Sequence, residues 1–291
     1  MKPPPFAYDR AGSVDETLAL LSEHGDDAKV LAGGQSLVPL LNFRLARPER
    51  LIDINEVQEL DRLELNGTLR IGALTRQATI ERSGEIAKQV PLLHEAIRFV
   101  AHPQIRNRGT VGGSVAHADP SAELPAAFAA LDAVYHLRSA TGTRVVRSDE
   151  MFVTHLTTAL QPDELLTEIE VPLPPTGTGS AFVEFARRHG DFALAGAAVL
   201  LTQAADGSCA RAAIALLAAG PVPVRAVAAE QALLGHRLDE DVAREAAATA
   251  VQDVKPLADI HGGAAYRRRV LEALVRRALL LASARAQGGP A

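Results

Sequence analysis

Two glycine-rich passages contain residues suited to binding chemistry. They are Ala-Gly-Gly-Gln-Ser at 32–36 (the first glycine passage) and Thr-Val-Gly-Gly-Ser at 110–114 (the second glycine passage). Paired glycines allow positive φ angles and let successive backbone N–H groups converge on an anion. The hydroxyls of Ser36, Thr110 and Ser114 could add donors to a phosphate. Together the passages could hold the two phosphates of a dinucleotide, but each could also be a tight turn.

Neither passage has the form of a P-loop or of the Rossmann glycine motif. The segment leading into the second passage adds Arg106 and Arg108. These arginines could offset phosphate charge, pair with carboxylates that shape the loop, or simply be solvated. His117 and Asp119 could exchange a proton. Because no nucleophile stands at triad spacing, a structural or cofactor-contacting role is favoured for His117.

The chain has few residues that could bind a metal. Cys209 is the only cysteine, so neither a disulfide nor an iron–sulfur cluster can form within the chain. The nine histidines include no His-Glu-x-x-His motif, and no metal site is predicted. Redox chemistry would therefore depend on an organic cofactor or on a partner chain.

Composition is that of an ordinary globular protein. The net charge of -5 gives no reason to expect nucleic-acid binding. No apolar run approaches the ~20 residues that a membrane helix needs, so no transmembrane segment is predicted. The first residues lack the features of a secretory signal, and a cytoplasmic location is expected.

Hydrophobic periodicity predicts an α+β fold. Ser13 and Glu16 form a capping box for a first helix, and Asn66-Gly67 favours a hairpin turn. Residues 101–125 follow neither periodicity and predict a long loop or an irregular loop-helix passage. The predicted helices are 14–24, 35–44 (interrupted by Pro39), 79–87, 92–100, 224–234, 239–254 and 264–284, and the predicted strands are 29–32, 51–54, 133–137, 143–146, 166–171, 181–186, 195–203 and 210–217.

The sequence resembles the FAD-binding medium subunits of molybdenum hydroxylases, a family that includes carbon monoxide dehydrogenase, nicotinate dehydrogenase and the flavin domain of xanthine dehydrogenase. The matching stretches are 31–55 and 101–126, which contain the two glycine passages, and the later stretches 185–199 and 220–235. The combination of Ala-Gly-Gly-Gln-Ser with Arg-Asn-Arg-Gly-Thr-Val-Gly-Gly-Ser is specific, and the resemblance spans nearly the whole chain.

The resemblance implies two domains. Residues 1–175 would form an FAD-binding domain, made of a small α/β subdomain and a mixed sheet with helices. Residues 176–291 would form a C-terminal domain of antiparallel strands and helices, similar to that of the carbon monoxide dehydrogenase flavoprotein. The Pro- and Gly-rich stretch 172–179 fits a linker between them.

The resemblance also implies a set of FAD contacts. Both glycine passages would bind the pyrophosphate. Ala101 would lie on the flavin side, and Glu123 takes the place of an acidic residue, more often Asp, that bonds the adenosine ribose. The implied contacts are Lys29, Val30, Leu31, Ala32, Gly33, Gly34, Gln35, Ser36, Ala101, Thr110, Val111, Gly112, Gly113, Ser114, His117, Glu123, Leu166 and Phe192.

Two of these contacts leave alternatives open. Leu165 or Leu166 falls near an apolar contact with the adenine or the flavin. Phe192 matches an aromatic position, often Tyr, that lies against the isoalloxazine in some members, although a core aromatic is an equal alternative. Family members with a tuning Lys carry it near Leu194 or Ala195, and its absence here casts doubt on direct reduction of NAD.

The function implied by the resemblance is electron transfer. A large partner subunit would hold the molybdenum cofactor, and a small one would hold two [2Fe–2S] clusters that pass electrons to FAD in this chain. A dimer of heterotrimers is expected. The external acceptor stays open between quinone, NAD, oxygen and a carrier protein. The alternatives are a free-standing FAD-dependent oxidase or dehydrogenase with its own substrate pocket, and a non-catalytic assembly subunit.

Overall fold

A computed structural model describes residues 2–288. Met1 of the first predicted domain and residues 289–291 of the second lie outside this described part. The strands, in chain order, are β1 (Ala7–Arg10), β2 (Ala28–Leu31), β3 (Arg50–Asp53), β4 (Leu63–Leu65), β5 (Thr68–Gly72), β6 (Val134–Ser139), β7 (Gly142–Arg147), β8 (Phe152–Thr154), β9 (Thr157–Thr158), β10 (Leu165–Pro172), β11 (Thr178–Phe185), β12 (Ala195–Gln203), β13 (Cys209–Leu217) and β14 (Val224–Arg225).

The α-helices, in chain order, are α1 (Val14–His24), α2 (Leu37–Asn42), α3 (Gln77–Arg82), α4 (Gly84–Gln89), α5 (Pro91–Ile97), α6 (Pro103–Arg106), α7 (Val111–His117), α8 (Glu123–Ala130), α9 (Ser148–Met151), α10 (Val227–Leu233), α11 (Glu240–Ala250) and α12 (Ala264–Ala286). Short 3₁₀ turns cover Gly25–Asp27 and Gln58–Leu60. No helix within residues 2–288 is both long and apolar enough to cross a membrane.

The first part of the chain forms a three-stranded parallel sheet in the order β1-β3-β2, with α1 as its crossover helix. Ser13 caps α1 by accepting the N–H of Glu16 at 3.1 Å, as the capping box predicts. The strand β1 has no counterpart among the predicted elements, because its side chains are mostly exposed and give no apolar alternation. The first glycine passage follows β2 directly.

The second sheet has five strands in the order β4-β5-β10-β6-β7. Its pairs are antiparallel throughout, where a mixed sheet was predicted, because a hairpin or a long return connection reverses each neighbouring strand. The predicted turn at Asn66-Gly67 joins β4 to β5, with φ +75 at Gly67. Helix α7 packs on β5 and β10 of this sheet, whereas α5 and α8 pack on strands β11 to β13. Together the three helices bury the largest core cluster.

The third sheet is antiparallel, in the order β11-β12-β13-β14, and is covered by α12, which packs on β11 and β12. Helices α10 and α11 complete this second core. Separate antiparallel and parallel sheets with helices beside them confirm the predicted α+β class.

The largest core cluster includes residues from both sides of the predicted boundary at 175. Phe182, Ala198 and Leu217 pack in it together with Leu93 and Phe128. A hydrogen bond from the N–H of Phe182 to the carboxylate of Glu95, at 2.9 Å, adds a polar contact. The division at residue 175 stays a prediction.

Two sequence interpretations differ from the structure in detail. Residues 101–125 hold α6, α7 and the start of α8, so the irregular loop-helix alternative applies rather than a long loop. Pro39 does not interrupt α2, because it lies in the first turn of that helix, where the fixed φ of proline is tolerated.

Candidate cofactor-binding site

The first glycine passage presents a row of free backbone donors. Within the described residues, none of the five N–H groups of Ala32–Ser36 has a hydrogen-bond acceptor in the protein. Gly34 has a φ of +73, in the left-handed region that favours glycine. Consecutive free N–H groups around such a residue form a concave site for an anion. This part of the predicted phosphate site therefore has the geometry that its chemistry needs.

The second glycine passage uses its backbone differently. Thr110 caps α7, and its hydroxyl accepts the N–H of Gly113 at 3.0 Å. The N–H groups of Val111 and Gly112 donate to the carbonyls of Thr75 and Ala73, both at 2.9 Å. The second nest predicted from the paired glycines is therefore not formed by free amides. Because the amides of residues 111–114 already have acceptors within the protein, this passage is a fixed surface and does not offer a row of free donors.

Gly33 of the first passage lies against the two residues that precede the second passage, Arg108 and Gly109. A Cβ on Gly33 would lie 2.5 Å from the carbonyl oxygen of Arg108 and 2.9 Å from the Cα of Gly109. Gly112 is equally restricted, since its Cβ would lie 2.6 Å from the Cβ of Ala73. Glycine is required at both positions because the backbone of a neighbouring segment occupies the space that a side chain would need. The chain thus brings both predicted passages to one place.

Arg106 and Arg108 have separate roles. Arg106 is buried and forms a forked pair with Glu81, at 2.7 and 2.8 Å. Its hydrogen bonds, opposed by desolvation, hold the pKa of Glu81 below its usual value. Arg108 is exposed, and within residues 2–288 its guanidinium has neither a hydrogen bond nor an ion pair. Arg106 thus pairs with a carboxylate that shapes the loop, and Arg108 is free to meet an anion.

Ala101, at the start of this segment, is held in an uncommon conformation. Its φ is +42, which is rare for a residue with a side chain. The Arg106 guanidinium donates to the carbonyls of Val100 at 2.8 Å and Ala101 at 3.2 Å and so fixes the turn. A strained backbone maintained by a buried ion pair marks this turn as a candidate contact.

His117 and Glu123 lie at the end of α7 and the start of α8. Burial lowers the pKa of His117, with Asp119 acting in the opposite direction. Burial raises the pKa of Glu123 to about 7, and Asp119 contributes to the increase. Glu184 on β11 shares the buried region. Its burial, followed by the charge of Glu123, raises its pKa to about 8.

The remaining predicted contacts are spread out. Lys29 is exposed on β2, while Val30 and Leu31 are partly buried there. Leu166 is buried in the largest core cluster. Phe192 is 73% exposed between β11 and β12, which excludes the alternative of a core aromatic.

Sequence reasoning missed the residues that join these parts. The loop that carries Phe192 lies against His102, because a Cβ on Gly190 would stand 2.8 Å from the His102 Nδ1 atom. The His102 and His189 rings stack with their centroids 6.4 Å apart. Asn55 donates to the Ala32 carbonyl of the first passage, and Arg76 donates to the carbonyl of Arg108, two residues before the second passage. Asn55 ends the first matching stretch, which could have signalled it, but nothing in the sequence points to Arg76.

One cluster of possible metal ligands lies on the five-stranded sheet. One ring nitrogen of His136 and one carboxylate oxygen from each of Glu168 and Glu170 lie within 4.8 Å of one another. Their carboxylates already pair with Arg62 at 2.6 Å and with Arg70 at 3.5 and 3.8 Å. Because protein cations neutralise these carboxylates, the cluster is an ion-pair network.

The residues at the two passages fit FAD. The free amides of the first passage suit a pyrophosphate, and the close contact at Gly33 leaves no side chain between the loops. The unpaired Arg108 supplies positive charge beside them.

Comparison with known proteins agrees with this fit. Residues 4–174 match the family described as "FAD binding domain in molybdopterin dehydrogenase". Residues 180–282 match "CO dehydrogenase flavoprotein C-terminal domain".

Two curated relatives are similar over nearly their whole length. The 6-hydroxypseudooxynicotine dehydrogenase complex subunit alpha of Paenarthrobacter nicotinovorans is 47% identical, over 99% of this chain and 97% of the relative. The carbon monoxide dehydrogenase medium chain of Afipia carboxidovorans is 39% identical, over 99% of this chain and 100% of the relative.

A solved structure has the same fold. In carbon monoxide dehydrogenase from Hydrogenophaga pseudoflava, a chain 41% identical superposes with a TM-score of 0.95, covering 98% of this chain and 99% of that one. The family models cover most of the chain, and the relatives extend over nearly all of it. The chain therefore belongs to the family of FAD-binding medium subunits of molybdenum hydroxylases.

Proposed function

We propose that this chain binds FAD across the two glycine passages and passes electrons from the iron–sulfur clusters of a small partner subunit to an external acceptor. The observation that carries the proposal is the row of five free N–H groups at Ala32–Ser36, where Gly33 lies against the residues that lead into the second passage. Bound FAD would supply the redox chemistry, since flavins exchange electrons one or two at a time.

The residues of this chain would bind and orient the cofactor. The first glycine passage would donate its amides to the pyrophosphate, and Arg108 would balance the negative charge. The second passage would provide a fixed wall, with the hydroxyl of Ser114 as a donor. The Ala101 turn and Phe192 would lie on the flavin side, and Glu123 would bond the ribose.

Partner subunits follow from the composition and from the relatives. The sole cysteine, Cys209, is buried, so iron–sulfur clusters must come from another chain. Relatives are named as a complex subunit and as medium chains. We propose a molybdenum-containing large subunit and an iron–sulfur small subunit, assembled as a dimer of heterotrimers in the cytoplasm.

The test is purification of the chain alone and of the complex from its native host. The visible spectrum of each preparation is recorded after desalting, and the complex is analysed for iron, acid-labile sulfide and molybdenum. Flavin bands in both preparations, with all three elements in the complex, support the proposal. Flavin without partner subunits would favour a free-standing flavoprotein. Partner subunits without flavin in either preparation would favour an assembly role.

A further inference from the structure

Within residues 2–288, no hydrogen bond joins the two glycine passages directly. Gly33 lies close to Arg108 and Gly109, the two residues that precede the second passage. The attraction in a small van der Waals contact is weak, so it does little to keep two loops from separating. Something else must therefore hold the passages together.

Each passage is anchored to a different neighbour. The first follows β2, and the carbonyl of Ala32 accepts a hydrogen bond from Nδ2 of Asn55 at 2.8 Å. Asn55 is fixed by Asp53, whose carboxylate accepts the Asn55 N–H at 2.9 Å and the side-chain amide at 2.6 Å. The second passage is anchored to residues 73–75 by the backbone N–H groups of residues 111 and 112, and the preceding Gly109 accepts the Gln77 N–H at 3.0 Å.

The Arg76 side chain connects these two anchors. Its Nη2 donates to Oδ1 of Asn55 at 2.8 Å, and its Nη1 donates to the carbonyl of Arg108. A continuous chain of bonds therefore runs from Ala32 through Asn55 and Arg76 to Arg108. The acceptor on Arg108 is the same carbonyl oxygen that restricts Gly33.

We propose that Arg76, acting through Asn55, is a positioning residue that sets the spacing of the two glycine passages and thereby the affinity for FAD. This inference rests on the proposed FAD binding. Only a guanidinium has the planar fork that reaches both acceptors, because the three donors of a lysine ammonium all lie on one nitrogen. Without Arg76, Oδ1 of Asn55 and the Arg108 carbonyl both lose a charge-assisted bond, and the passages can move apart.

The experiment is titration of the full-length, FAD-free chain with FAD. It uses wild type, Arg76→Met, Arg76→Lys, Asn55→Ala and the Arg76→Met/Asn55→Ala double variant. Arg82→Met is the matched control, since Arg82 bonds the side chain of Asn107 at 2.9 Å in the same segment without reaching the first passage. The melting temperature of each FAD-free variant is measured alongside.

We expect Arg76→Met to weaken FAD binding by about ten-fold or more. Arg76→Lys should recover part of the loss, and the double variant should be no worse than the weaker single variant, because the two residues form one chain of bonds. Arg82→Met should bind FAD as wild type does. The melting temperatures should not follow the order of the affinities, as they would if Arg76 only stabilised the fold.

Wild-type affinity in Arg76→Met would overturn the inference and leave FAD binding intact. Additive losses in the double variant, or losses that match the falls in melting temperature, would also overturn it. A wild-type chain that binds no FAD would instead overturn the proposed function.

Discussion

Gly33 lies so close to Arg108 that a Cβ at residue 33 would stand 2.5 Å from the Arg108 carbonyl oxygen. Gly33→Ala must therefore push the first passage away from Arg108 and Gly109, which lead into the second passage. We expect at least a ten-fold weaker affinity for FAD, with a cost of about 1–3 kcal/mol in the free energy of unfolding from overpacking. Fluorescence titration with FAD and urea unfolding measure the two effects.

Gly84→Ala is the matched control for this change. Gly84 begins α4, and a Cβ there meets nothing within 4 Å. It should bind FAD as tightly as wild type. Equal affinity in Gly33→Ala and wild type would show that the contact between the passages does not matter for binding.

Arg106 and Arg108 are two residues apart, but the same substitution should lower stability at residue 106 and FAD affinity at residue 108. Arg106→Met leaves the half-buried Glu81 and the Val100 carbonyl without partners, and should cost about 3 kcal/mol in the free energy of unfolding. Arg108→Met removes an exposed charge and should leave stability unchanged. It should weaken FAD binding roughly five-fold at low salt and less at high salt. Thermal melts and titrations at two salt concentrations test the pair, and an Arg108→Met variant with wild-type affinity at low salt would contradict its role.

Thr110 should act mainly through its cap on α7. Thr110→Val keeps the shape of the side chain but leaves the Gly113 N–H without its acceptor, which should cost about 1 kcal/mol in the free energy of unfolding. Thr110→Ser should restore most of that loss because it keeps the hydroxyl. Chemical denaturation of the three proteins is the measurement. A Val variant as stable as wild type would mean that the cap is not needed.

The buried carboxyls of Glu123 and Glu184 predict a pH dependence of stability. Their pKa values are raised in the folded state to about 7 and about 8, from 4.5, so the folded chain holds protons that the unfolded chain releases. The stability they contribute is fully present below pH 4.5 and is lost as pH rises towards 8. The slope is about 1.4 kcal/mol per pH unit for each proton.

Glu184→Gln isolates this effect. The free energy of unfolding is measured from pH 5 to pH 9 for the FAD-free wild type and for the FAD-free variant. The variant should equal wild type near pH 5 and exceed it increasingly towards pH 8, because one of the two buried carboxyls is gone. A difference that stays constant over this range would show that Glu184 has an ordinary pKa.

The sequence predicted much of the fold because periodicity and turn residues are local signals. The capping box at Ser13 and the turn at Asn66-Gly67 both occur where they were predicted. The antiparallel order of the five-stranded sheet depends on pairing between β5 and β10, which are far apart in the chain. Strand β1 was missed because most of its side chains face solvent.

The site was only partly predictable for a similar reason. Paired glycines identify both passages, but they do not show whether the backbone amides are free or donate to carbonyls elsewhere in the protein. The amides at 32–36 are free, while those at 111 and 112 bond Thr75 and Ala73, which no local pattern indicates. The Arg76 connection spans residues 32 to 108 and arises only from the tertiary fold.

The most direct test of the account is hydrogen–deuterium exchange of the full-length chain with and without FAD, read on peptides that cover both glycine passages. The free amides of residues 32–36 should exchange rapidly without FAD and become protected when it binds. The amides of residues 111–114, which already have acceptors in the protein, should be slow in both states. Exchange at residues 32–36 that is unchanged by saturating FAD would contradict the claim that this passage binds the pyrophosphate.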